Sequence, residues 1–229
     1  DAFARLEIEF EATESAGESR LAAGEVLRSD GHLEREPGGA RYFTEMTWRP
    51  RPGKQRCFLY MPAHRSPYQS VYQNSMANTP DIAGGEIAPF RYAEFSGRGV
   101  HAVRWSRHAV FGAFDDSAAS FECSDGRLDR VWNFCKYSIK ATSPFAYYVD
   151  GDRERQAFEG DCYINALGAY CVGGGYEKAR KTITFLLDYY PMNCLEYRLF
   201  MPMLVRDYLN YSGDTGMYRY WQATLPERL

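Results

Sequence analysis

A β-then-α chain is the fold class this sequence predicts: a β-sandwich, or part of one, over residues 1–118, followed by antiparallel helices over residues 119–229. Three observations predict it. LEIEFEA, Leu6 to Ala12, alternates apolar and acidic residues with the period of a half-buried strand. Beyond residue 118 the apolar period changes from two residues to the 3.6 of a helix. Turn chemistry separates the early runs, in REPGGA and RPRPGK for example, while the later runs are long and bounded by helix caps and stops.

Taken in order, the strand-like runs after LEIEFEA are RYFTEMTW, RCFLYMP, FRYAEFSG and the longer GVHAVRWSRHAVFGAF, closed by the turn FDDSAAS. No helical stripe competes with them. SDGRLDRVWNFCKYSIKAT then offers Ser124 as an N-cap and Leu128, Val131, Trp132, Cys135 and Ile139 at helical spacing. A second helix is expected from about Glu154 or Arg155 to Cys171, stopped by Gly173 to Gly175. YEKARKTITFLLDYY gives a third, ended by Pro191. LEYRLFMPMLVRDYLNY gives a fourth, in which Pro202 implies a kink or a late start. SGDTGMYRYWQATL gives a fifth, capped by Asp214 or Thr215. Short connections favour antiparallel neighbours. Five helices with broad apolar stripes leave much of that surface uncovered, so the helical half reads as truncated, to be completed by further chain or a second copy.

At 229 residues the chain has room for two ordinary domains or one large one. A net charge of −3 gives no basic footprint for nucleic acid, and no apolar run of about 18 residues exists to cross a membrane. The opening DAFARLEIEF has neither an initiator Met nor a basic-then-apolar leader, and reads as a processed or excised piece. Secreted, periplasmic and cytoplasmic locations all stay open. Six cysteines without a CxxC or a Cys/His cluster argue against a zinc site, and no other metal or cofactor is expected. Cys162 adjoins Asp161, but all four histidines come far earlier, so packing is the better reading of its thiol.

The stretch YYVDGDRERQAFEGDCYIN, Tyr147 to Asn165, sets five carboxylates and two arginines among tyrosines and apolar residues. Glu154 and Asp161 stand seven residues apart, near two helical turns, with Phe158 between them. Asp150 lies four residues before Glu154. On a helix begun that early the three acids share a face, and Glu159 falls about 140° away from Glu154. The residues alone leave two readings open, an ion-paired helix start and a polar site set into a packed domain. Tyr147 and Tyr148 suit sugar stacking and core packing alike.

Several ordered blocks carry a resemblance. Asp115 to Phe121, Leu128-x-x-Val131-Trp132, Cys135 to Thr142 and Val149 to Arg155 together resemble the bacterial α-L-rhamnosidases of glycoside hydrolase family 78. PFRYAEFSG is similar to the strand that precedes their catalytic domain. The similarity runs from about Phe90 to Asp214, with a weaker echo in the first strands. It implies that the helical half is the N-terminal portion of an (α/α)6 barrel, and that the protein cleaves terminal α-L-rhamnose from glycosides or polysaccharides with inversion. In relatives an Asp, a short spacer, Arg-Glu, an aromatic residue and Gly-Asp line the rhamnose pocket. Asp150, Arg153, Glu154, Phe158 and Gly160-Asp161 stand at those places. The resemblance implies Glu154 as general acid, with Asp150, Arg153, Phe158 and Asp161 binding the sugar. Glu196 falls where relatives carry a pocket acid, and an exposed helix residue is the competing reading. The spacer after Asp150 is shorter than in many relatives, and Phe158 stands in place of a frequent Trp. The general base lies on a later helix in the family and is expected beyond Leu229. A non-catalytic carbohydrate-binding or scaffold protein, and another (α/α)6 enzyme such as a phosphorylase or lyase, remain the alternatives.

Overall fold

A computed structural model describes residues 2–39, 41–64, 85–189 and 195–224. The chain divides into two compact units, strands up to Val110 and helices from Phe111. No described helix is long and apolar enough to cross a membrane.

In the strand unit β1 (Phe3–Ala12) is central. β7 (Val100–Ala109) pairs along one edge of it, and β4 (Gly53–Phe58) then β5 (Ala88–Pro89) pair along the other, all antiparallel. A second, antiparallel sheet sets β2 (Ser19–Gly24) between β3 (Phe43–Trp48) and β6 (Tyr92–Gly97). These make the expected β-sandwich. The alternation of β1 does what its sequence dictates: Ala4, Leu6, Ile8, Phe10 and Ala12 are at most 4% exposed. Phe10 meets Trp48 at 5.8 Å and Phe95 at 5.3 Å between ring centroids, joining residues of both sheets in one core. On the outer face Glu7 accepts from His108 at 2.8 Å and Glu9 pairs with Arg56 at 2.7 Å.

Two strand expectations need correction. RCFLYMP is not the strand itself: β4 begins at Gly53 and ends at Phe58, while Leu59 and Met61 continue into the core. β2 is not predicted by the sequence pattern. SRLAAG lacks β-branched residues and polar alternation because this central strand is buried on nearly every position, and small residues fit between the layers.

The helical unit holds α1 (Gly126–Ala141), α2 (Glu159–Cys171), α3 (Tyr176–Tyr189), a 3-10 turn over Leu195–Leu199, α4 (Phe200–Ser212) and α5 (Thr215–Thr224). The N-cap of α1 is Asp125, not Ser124: its carboxylate accepts from the Arg127 N–H at 3.0 Å. Pro202 is the third residue of α4, where its missing N–H has no intrahelical partner to lose, so the late start is the outcome. Asp214 caps α5 by accepting from the Gly216 and Met217 N–H groups at 3.0 and 3.2 Å. Gly173, at φ 100, follows the end of α2. Pro191 lies outside the described residues, as does Cys194.

α4 packs against α2, α3 and α5 around Cys162, Ile183, Leu186, Leu204, Val205 and Tyr208, all at most 3% exposed. This is part of an (α/α) repeat, and the helices among the described residues are fewer than six hairpins need. α1 stands apart. Leu128 and Val131, from the stripe read in the sequence, are 53% and 56% exposed, as is Phe134 beside it at 70%, while Trp132 and Ile139 of that stripe are half-buried.

Candidate active site

The segment between α1 and α2 carries the charges, and the helices fix its path. Lys178 on α3 donates to the Ser143 carbonyl, Tyr148 N–H donates to Thr182 Oγ1 at 3.1 Å, and Tyr147 stacks on Phe185 at 4.8 Å. From α2, Cys162 Sγ donates to the Tyr148 carbonyl and Asn165 Nδ2 to that of Val149. Both tyrosines therefore pack on the helical core. Burial pushes the Cys162 thiol well above its ordinary range, which suits a packing role and not a nucleophile.

Held at that end, the chain turns on itself. Asp150 N–H donates to the Gln156 carbonyl at 3.0 Å, Gln156 N–H donates back to Asp150 Oδ1 at 3.0 Å, and Arg155 N–H donates to the Gly151 carbonyl at 3.1 Å. Arg155 has φ 50, the left-handed region that side chains disfavour. A helix cannot pass through that residue. The expectation that α2 begins near Glu154 is thus corrected: it begins at Glu159, and Asp150 and Glu154 sit on the loop before it. The helical-face argument for the three acids, and for excluding Glu159, falls with it.

The loop nevertheless brings the acids together. Asp150 and Glu154 lie close enough for their carboxyl groups to share a proton. Burial first, then the bond to Glu154 and its charge, raises the Asp150 carboxyl to about 7. Glu154 is 5% exposed and also pairs with the exposed Arg153 guanidinium. Asp161, in the first turn of α2, is raised by burial and by the charge of Glu154, against a bond from Tyr197 that lowers it. Gly160 lets that tyrosine approach, since a Cβ there would stand 3.2 Å from the Tyr197 ring. Phe158 is buried as the residue before α2, and Glu159 is buried too. Glu196 is exposed on the 3-10 turn, beside Tyr197. Tyr197 and Arg155 were not singled out in the sequence. The aromatic next to Glu196 was the signal for the first; nothing in composition marks a left-handed arginine.

The arrangement can hold one proton near neutral pH in a buried carboxyl pair, flanked by a third acid and an exposed cation. Among the described residues, no group of three or more His, Cys, Asp or Glu could hold a metal ion.

This has a measurable thermodynamic consequence. Asp150 is raised in the folded state to about 7, so its contribution to stability is complete below the unfolded carboxyl range, near about 4, and is lost as pH rises through about 7. Asp150→Asn is therefore expected to gain stability relative to the unsubstituted protein between pH 5 and pH 8, as read by urea unfolding. Parallel stability curves for the two proteins would contradict it.

Residues 116–223 match the model of the bacterial alpha-L-rhamnosidase 6 hairpin glycosidase domain. Among solved structures, the chain is similar to a GH78 family rhamnosidase of Bacillus sp. GL1, with a TM-score of 0.64 and 19% identity over 99% of this chain and 23% of that one. It is similar also to a rhamnosidase from Klebsiella oxytoca with rhamnose bound, with a TM-score of 0.70 and 14% identity over 97% of this chain and 45% of that one. At those identities the likeness is one of fold. The chain spans less than half the length of either structure. No curated protein sequence matches it.

Proposed function

From a helical segment, residues 116–223, that belongs with the six-hairpin glycosidases, we propose that the whole protein is a glycoside hydrolase that cleaves terminal α-L-rhamnose with inversion. The observation that carries the proposal is the partly buried Asp150 carboxyl, raised to about 7 beside the buried Glu154, in the stretch whose resemblance implies the family's acid. Departure of a sugar requires a proton on the leaving oxygen, and an acid works best when its proton is retained near the working pH. Burial and the neighbouring Glu154 hold such a proton on Asp150 here, as in other paired-carboxyl sites.

In this reading Glu154 donates the proton to the glycosidic oxygen. Arg153 fixes Glu154 through their ion pair and offers its remaining N–H groups to hydroxyls. Asp161 accepts a hydrogen bond from one sugar hydroxyl, held in place by Tyr197, and Asp150 accepts from another once its proton has passed to Glu154. Phe158 lines the sugar site in this reading, and Glu196 reaches the sugar from the 3-10 turn. An inverting enzyme needs a second carboxylate about 6.5–9.5 Å from the acid to activate water on the opposite ring face. No residue of this chain is assigned to that task.

The test is proton NMR of the full-length protein with a terminal α-L-rhamnoside. β-L-Rhamnose appearing first, without phosphate, is the expected result. Initial release of the α-anomer would remove inversion. A phosphate-dependent product or an unsaturated sugar would reassign the site to a phosphorylase or a lyase, and binding without release would make it a carbohydrate-binding protein.

A further inference from the structure

Arg155 is the largest fully buried side chain described, at 1% exposure, and the chemistry assigned above makes no use of it. A buried guanidinium must be paired to be tolerated. Its Nε and Nη2 both donate to Asp152 Oδ1, at 3.1 and 2.9 Å, and its guanidinium carbon lies 5.1 Å from the centroid of the Phe145 ring, itself 2% exposed. The arginines on either side of Glu154 thus differ in kind: Arg153 faces solvent and Arg155 is sunk into the fold. Arg155 also occupies the strained corner of the loop, at φ 50. Such strain persists only where the surroundings over-determine it.

We propose that Arg155 is a positioning residue: anchored on Asp152 and Phe145, it holds the Asp150–Gln156 loop in the left-handed path that brings the Asp150 and Glu154 carboxyls into contact. Buried ion pairs contribute little net stability compared with apolar packing, so the value of this one lies in selecting a single backbone path. With that path lost, the chain between Asp150 and Glu159 is free to extend α2 backward. The spacing of its residues invites that. Asp150 and Glu154 would then sit one turn apart on an exposed helix start, without the shared proton.

The inference rests on the reading of Glu154 as an acid, and its test separates the two. Charged and titratable groups around the pair are Arg153 on the loop, Glu159, Asp161 and Cys162 on α2, and Tyr197 through Asp161. None is altered by the substitutions chosen. In the full-length protein, Arg155→Lys keeps the charge and loses the two-pronged donor, and Asp152→Asn keeps the size and loses the anion. The carboxyl carbons of Asp150 and Glu154 are titrated by NMR, alongside kcat, KM and the pH profile on a rhamnoside. Each variant is expected to move the elevated carboxyl titration to lower pH, to shift the alkaline limb of activity the same way, and to lower kcat about 10- to 100-fold, a larger change than the rise in KM from the displaced Asp150. The double variant is expected to be no worse than either. Asp152→Asn, the milder change, carries the test if Arg155→Lys does not fold. An unchanged titration and pH profile with a lowered thermal midpoint would reduce Arg155 to a structural strut and overturn the proposal. Should the unsubstituted protein release no rhamnose while the variants still lose the elevated titration, the positioning role stands and the glycosidase reading falls.

Discussion

Full-length Glu154→Gln is expected to lose about 10²- to 10⁴-fold in turnover on an alkyl rhamnoside, the usual worth of a positioned general acid, while rhamnose binding largely survives. Gln keeps the size of the side chain and can still donate to Asp150, but it carries no transferable proton. It also loses the ion pair with Arg153, so a modest change in binding is expected as well. Asp161→Asn should behave differently. Its proposed work is to accept from a hydroxyl, and weakened binding should accompany its loss of turnover. Isothermal titration with rhamnose, beside steady-state kinetics, distinguishes the two patterns. Equal losses of binding in both variants would contradict the division of roles.

Phe10→Ala is expected to destabilise the strand unit by about 3–5 kcal/mol, the cost of removing a buried aromatic ring from a core that cannot close over the space. Phe10 is 1% exposed and lies against Trp48 and Phe95, which approach each other at 6.0 Å. Those partners come from both flanking strands of the second sheet, so the ring ties the two layers together. Urea unfolding reads the loss directly. A loss under about 1 kcal/mol would mean that the sheets do not meet at this ring.

The β1 strand was legible because its alternation is strict and one of its faces is solvated. β2 was not, since burial on both faces removes the alternation by which strands are recognised. Helix ends followed their caps to within a residue at α1 and α5. The start of α2 did not, and the cause lies at the site. Acids at intervals of four and seven imitate a helical face, yet the same residues serve a turn in which Asp150 bonds Gln156 and Arg155 turns left-handed. Local spacing and tertiary anchoring conflict there, and the buried contact of Arg155 with Asp152 and Phe145 prevails. The identities of Asp150, Glu154 and Asp161 as neighbours were readable. Their geometry was not, because it depends on one residue in a backbone conformation that its type does not announce.

The most direct test of the account is the ratio of two losses in Glu154→Gln, one on an alkyl rhamnoside and one on an aryl rhamnoside with a leaving group that departs without protonation. If Glu154 supplies the proton, the loss on the alkyl substrate falls in the range of about 10²- to 10⁴-fold and that on the aryl substrate is far smaller. An equal loss on both would remove Glu154 from the acid's role and return the Asp150–Asp161 stretch to sugar binding or to structure.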